Sequence, residues 1–104
     1  MFSQGFSGEE KLLTSIDKGI DTFGPSVKNV LYYRFNTIYH SQRKDILKEP
    51  QLFTESLRNF FGDRSFHVEE AIVASIIDTF HLVDVNYADS LTRVIHEAVK
   101  QNRD

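Results

Sequence analysis

Four residues in the second half of the chain have the chemistry of a metal site. His67, Glu70, Asp78 and His81 fall at i, i+3, i+11 and i+14, which on a helix sets them near one stripe with Ala74 between them. Imidazole and carboxylate together suit zinc, iron or manganese held inside a helical bundle. Carboxylate bundles repeat Glu-x-x-His on two helices and add Glu from the others. Here only Asp78-x-x-His81 has that order. One copy reads as the polar side of an amphipathic helix, so no metal and no other cofactor is expected.

Catalytic patterns are absent from the sequence. His40, His67, His81 and His96 have no nucleophile partner in a Gly-x-Ser-x-Gly elbow, a phosphate-binding glycine loop or a His-Glu-x-x-His motif. Glu9-Glu10 and Glu69-Glu70 are sequence neighbours, and adjacent helical residues point apart, so neither is a general acid/base pair. The chain has no cysteine, which excludes thiolate catalysis, disulfides and cysteine-ligated metals. The expectation is a protein that is not an enzyme.

Two kinds of binding chemistry are left. The first rests on a surplus of aromatics. Tyr32, Tyr33, Tyr39 and Phe66, with Phe2 and Phe6, are too many for one small core, and surface aromatics are favoured interface anchors. This points to a non-catalytic regulatory module that binds another protein or a second copy of itself. The alternative is a nucleic-acid-binding transcriptional regulator. Lys28, Arg34, Arg43, Lys44 and Lys48 could meet phosphates while Tyr32, Tyr33 and Tyr39 stack on bases. Asp45 and Glu49 dilute that face, and twelve basic against fifteen acidic residues give a net charge of −3. Nucleic-acid binders usually carry a strong positive footprint, so the protein-binding reading comes first.

The elements that must position these residues are helical. Residues 1–7 read as a loosely ordered lead-in, with Phe2 or Phe6 folding back on the body, and 8–104 as one domain. Ser7 and Glu10 form a capping box; Leu12, Leu13, Ile16, Ile20 and Phe23 then follow at helical spacing. Gly24-Pro25 ends this helix and opens the next. The second helix is predicted over Pro25–Tyr39, with Val27, Val30, Leu31, Phe35 and Ile38 inward. Its tyrosines lie at the edges of that stripe, with their hydroxyls in water. A helical turn at 43–48 directs Ile46 and Leu47 inward. Pro50 then opens a helix with Phe53, Leu57, Phe60 and Phe61 on its apolar face, closed by Gly62.

The most apolar element is predicted over 65–82, capped by Ser65. Ile72, Val73, Ile76, Ile77 and Phe80 face inward, and Val68, Ala71 and Ala74 widen the stripe. A run of that length is too long for a strand, and a helix apolar over most of its circumference is usually central. Asn86 reads as the N-cap of the last helix, with Asp89 in its first turn. Leu91, Val94, Ile95 and Ala98 line that helix, and Lys100 and Arg103 sit near its end. The expected fold is all-α: a compact bundle of five to six short helices around the central apolar one. The expected core is Leu13, Ile16, Ile20, Val27, Leu31, Phe35, Phe53, Leu57, Phe60, Ile72, Ile76, Phe80, Leu91, Val94 and Ile95.

Length and composition agree with that fold. A chain of 104 residues, 40% apolar and 12% aromatic, has the size and bulk of one domain with its own core. Its start lacks the charged and apolar regions of a secretory signal, and no apolar run reaches the roughly 18 residues of a membrane span. A cytoplasmic location and no membrane partner are expected.

Three stretches, IDKGIDTFGPSVKNVLYY, RKDILKEPQLFTESLRNFFG and HVEEAIVASI, resemble an archaeal family of small helical domains, the Nitrosopumilus-type output domain. The likeness runs from about Asp17 to Ala98. It rests on the Gly-Pro break before the second helix, Pro50 followed by Phe53, and Phe61-Gly62 ahead of a Glu-rich helix start. Arg64-Ser65 stand where the family tends to have small residues. The resemblance implies an archaeal cytoplasmic signalling or regulatory module that acts by binding, and it carries over no catalytic residue.

Ile76 lies at the middle of the predicted central helix. Truncation to Ala should cost about 2 to 5 kcal/mol, read as a fall in melting temperature. An unchanged melting temperature would place Ile76 outside the core.

Overall fold

The structure is a computed structural model and describes residues 8–101; the lead-in residues Phe2 and Phe6, the Ser7 cap and Arg103 lie outside the described residues. The chain is all-α. Its helices are α1 (Gly8–Asp21), α2 (Pro25–Tyr39), α3 (Pro50–Phe61), α4 (Ser65–Phe80) and α5 (Leu91–Gln101). Two short 3-10 turns, Arg43–Leu47 and Gly62–Arg64, precede α3 and α4. No strand occurs among the described residues. The radius of gyration is 13.2 Å, as expected for a folded domain of about 100 residues.

The breaks follow local chemistry. Gly24 takes φ 112° and Gly62 φ 61°, backbone conformations that glycine reaches without a Cβ clash. Pro25 and Pro50 stand in the first turns of α2 and α3, where a missing N–H costs nothing. Two helices end less predictably, on histidines. His40 and His81 take the left-handed conformation at φ 55° and 52°, and their N–H groups donate back to the carbonyls of Phe35 and Ile77.

Two predicted starts are corrected. Ser65 is not a cap: the 3-10 turn runs directly into α4, Arg64 precedes the helix, and Ser65 is buried. The last helix starts at Leu91, well after Asn86. Asn86 and Asp89 instead close a turn: Asn86 N–H donates to Asp89 Oδ2 at 2.9 Å, and Asp89 N–H to the Asn86 carbonyl at 3.0 Å. The helix is capped by Ser90, whose Oγ accepts from Arg93 N–H at 3.2 Å. The Asn-to-Asp spacing suits a capping box and a closed turn equally well, which is why the sequence does not separate them.

α4 packs against α1, α3 and α5, and α2 packs against α1 and α3. α1 and α4 approach each other closely. A Cβ on Gly19 would lie 2.6 Å from Ile72 Cα and 3.0 Å from Ile72 N. One α1 turn earlier, Ser75 Oγ donates to the Ser15 carbonyl at 2.6 Å. The core is Leu12, Leu13, Ile16 and Ile20 of α1; Leu31 and Phe35 of α2; Ile46; Phe53 and Leu57 of α3; Val68, Ile72, Val73, Ile76 and Ile77 of α4; and Leu91, Val94, Ile95 and Ala98 of α5. Val27, Phe60 and Phe80, expected at the centre, are only partly buried. Phe23, Val30 and Ile38, placed on inward stripes by their spacing, are exposed. α2 lies at the edge of the bundle, so its buried arc is narrower than its apolar arc.

Gly19→Ala is expected to destabilise the domain. Alanine improves helix propensity by about 1 kcal/mol, but the added methyl meets the backbone of α4, and overpacking of this kind costs about 1 to 3 kcal/mol. The urea midpoint should fall; a raised midpoint would show that α1 and α4 do not approach this closely.

Candidate functional site

The two glycine breaks lie at the same end of the bundle. Gly24 turns α1 into α2 and leaves Phe23 and Val27 facing out beside the turn. Gly62 turns α3 into α4 and sets Phe61, Arg64, His67 and Val68 opposite. These six residues line an open groove of about 560 Å³. Its walls are mainly apolar, and its polar groups include the Arg64 guanidinium and the His67 imidazole.

The groove continues along one edge of α2. Val27, Val30, Arg34 and Ile38 follow at i, i+3, i+7 and i+11, the spacing of one helical face. Val30 and Ile38 are 46% and 48% exposed. The Arg34 guanidinium lies over the Phe60 ring at 5.4 Å, and Phe60 meets Phe61 edge-to-face at 4.8 Å. An apolar strip with basic groups beside it therefore runs from the Phe23 turn to the end of α2.

The predicted interface residues are divided. Tyr33 and Phe66 are 69% and 54% exposed; Phe66 stacks beside His67 with centroids 4.0 Å apart. Tyr39 is half-buried against Phe35, and its hydroxyl accepts from Asn59 Nδ2 at 3.0 Å. Tyr32, expected at an edge with its hydroxyl in water, faces inward and donates to Asp17 Oδ1 at 2.5 Å. The same carboxylate receives Arg43 Nη2 at 2.8 Å, and Arg43 also reaches Glu10 at 3.3 Å. Burial, reinforced by the Asp17 carboxylate, holds the Tyr32 hydroxyl far above the ordinary tyrosine range. Arg43 is held above the ordinary arginine range by its bonds to Asp17 and Glu10, which outweigh the opposing cost of desolvation.

The predicted nucleic-acid face is divided as well. Arg43 is held by Asp17 and Glu10, Lys28 pairs with Asp21 at 3.4 Å, and Arg34 covers Phe60. Lys44 and Lys48 point to solvent without an ion pair among the described residues. Lys48 borders a separate cleft of about 630 Å³ between the starts of α3 and α5, whose lining also includes Glu49, Glu55, Arg93 and His96.

The four metal candidates do not converge. α4 ends at Phe80 and His81 turns left-handed, so the helical phase that aligned it with His67 is lost. Asp78 accepts from the Tyr87 hydroxyl, and His67 borders the groove. Among the described residues no group of three or more His and carboxylate side chains is placed to hold a metal ion. No described helix is long and apolar enough to cross a membrane.

The groove residues were misread in the sequence because Phe23 and Phe61 carry the same spacing as their buried neighbours. The available signal was position: each stands immediately before a glycine break, where a helix face stops being covered.

No family model matches the chain, and no curated protein matches it. A crystal structure of PH0832 from Pyrococcus horikoshii OT3 has a similar fold, with a TM-score of 0.77 over 90% of this chain and 95% of that one, at 22% identity. A likeness at that identity is one of fold.

The Tyr32–Asp17 contact makes stability depend on alkaline pH. The unfolded tyrosine loses its proton near pH 10 while the folded one keeps it. Above that pH the unfolded state therefore binds fewer protons than the folded state, and stability falls as pH rises. Melting temperatures from pH 8 to 11 should decline less steeply in Tyr32→Phe than in the wild type. Identical slopes would place the hydroxyl in water.

Proposed function

We propose that this chain is a non-catalytic regulatory module that works by binding another protein through the strip along α2 and the groove beside it. The observation that carries the reading is the exposure of Val30 and Ile38 on the edge of α2 that also carries Val27, next to the groove lined by Phe23, Val27 and Phe61. Single exposed apolar residues are ordinary, but a continuous patch marks an interaction surface. Phe61, with Phe60 next to it, offers the rigid aromatic area on which hot spots are built. The resemblance to archaeal output domains agrees with a signalling role in the cytoplasm. The nucleic-acid alternative is weakened because Lys28 and Arg43 are paired with carboxylates of the chain itself.

Photo-crosslinking in the native host tests this reading. A benzoylphenylalanine at Val30 should give a discrete protein adduct, and the same group at Gln51, on the opposite cleft, should not. Mass spectrometry of the adduct distinguishes another protein from a second copy of the chain. Equal labelling from both positions, or none at Val30, would overturn the assignment of this surface.

A further inference from the structure

Resting on that reading, we infer that the occupant of the strip is an amphipathic helix of another protein whose apolar face is flanked by carboxylates. Shape gives the first half. Val27 to Ile38 spans roughly 16 Å at 1.5 Å per residue, three turns of helix, and an open groove lies at the Val27 end. A helix laid along such a surface offers side chains at i, i+3, i+4 and i+7 to it.

Charge gives the second half. Arg34, Arg64 and His67 stand along this surface, and none of them has an ion pair among the described residues. Of the other arginines among the described residues, Arg43, Arg58 and Arg93 are each matched with an acidic side chain, while Lys44 and Lys48 are not. Asp63 is the one carboxylate of the Gly62–Arg64 turn, against the two guanidiniums of Arg34 and Arg64, in a chain whose net charge is −3. The Arg34 guanidinium lies over the Phe60 ring at 5.4 Å and has no ion pair among the described residues, and arginine favours a carboxylate in two-pronged geometry. A second copy docked about a two-fold axis would set this same basic margin against itself. A carboxylate-flanked helix meets it with opposite charge, which favours both encounter and register.

The test uses the full chain and two labelled synthetic helices, followed by fluorescence anisotropy. Both peptides carry leucines at i, i+3, i+4 and i+7; one has Glu beside the stripe and the other has Lys there. The Glu peptide should bind about five- to tenfold more tightly at low salt. That preference should collapse near 0.5 M salt and in the double variant Arg34→Glu, Arg64→Glu. Circular dichroism melting checks that the variant is folded, and Arg34→Gln, Arg64→Gln replaces it if it is not. Equal binding of both peptides, lost in Val30→Asp, would overturn the charge assignment and leave the protein-binding reading standing. Tighter binding of the Lys peptide would overturn it likewise. Binding of neither peptide overturns the helical occupant. Light scattering then separates the remaining cases: a dimer broken by Val30→Asp keeps the interaction surface with a second copy as its occupant, and a monomer removes both.

Discussion

The close approach of α1 to α4 sets the geometry of everything around it. Gly19 lies against the backbone of Ile72, where even one methyl would collide. Ser75 reaches the Ser15 carbonyl, and Lys11 lies over the Phe80 ring at 5.2 Å. These pairs give an antiparallel register, since each step of four back along α1 moves toward the end of α4. Extended the other way, the register carries Phe23 to the level of Val68 and His67. The groove is a consequence of that register. It forms where α1 runs out just as α4 begins, and the Phe23 and Phe61 rings facing it there have no further helix to cover them.

The second constraint is the cluster of Asp17, Arg43 and Tyr32, with Glu10 at its margin. It ties the Arg43–Leu47 turn and α2 to α1, whose packing on α4 is already fixed. Asp17 accepts from both Tyr32 and Arg43, so an inward-facing hydroxyl and a partly buried guanidinium satisfy one carboxylate together. Polar networks of this kind are strong when complete, and no buried side-chain polar atom among the described residues lacks a partner. Arg43 and Tyr32, two of the residues that suggested a nucleic-acid face in the sequence, thus act as a clamp. A list of basic and aromatic residues cannot separate these roles, because the partner carboxylates lie 26 and 33 positions away.

What was legible in the sequence was set by local chemistry. Gly24-Pro25, Pro50 and Gly62 act through backbone geometry within one or two residues, and the bounds of α2 and α3 follow from them. The last helix was placed too early because Asn86 and Asp89 serve a turn as well as a cap; the choice is made by where Leu91 meets the core. The inner stripe of α2 was drawn too wide for a related reason. Spacing assigns Val30 and Ile38 to an apolar face, but only neighbouring helices decide how much of that face is covered. The groove draws on the turn after α1 and on α2, α3 and α4 at once, and its register is fixed by Gly19, a residue that reads in sequence only as a poor helix former.

The exposed edge of α2 is difficult to account for by folding alone. At a surface position of a helix, Glu, Lys, Gln or Ala has better propensity than Val, Ile or Tyr, and a polar residue avoids leaving apolar area in water. Val30, Tyr33 and Ile38 therefore contribute little to the isolated domain that a polar residue would not contribute equally well. Leu31 and Phe35 already supply the buried side of the same helix. Stability thus explains the inner half of α2 and leaves the outer half unexplained, while burial against a partner explains both. On that account α2 is a shared element, holding α1 and α3 with one face and offering the other, with Phe60 and Phe61 beside it, to a second molecule.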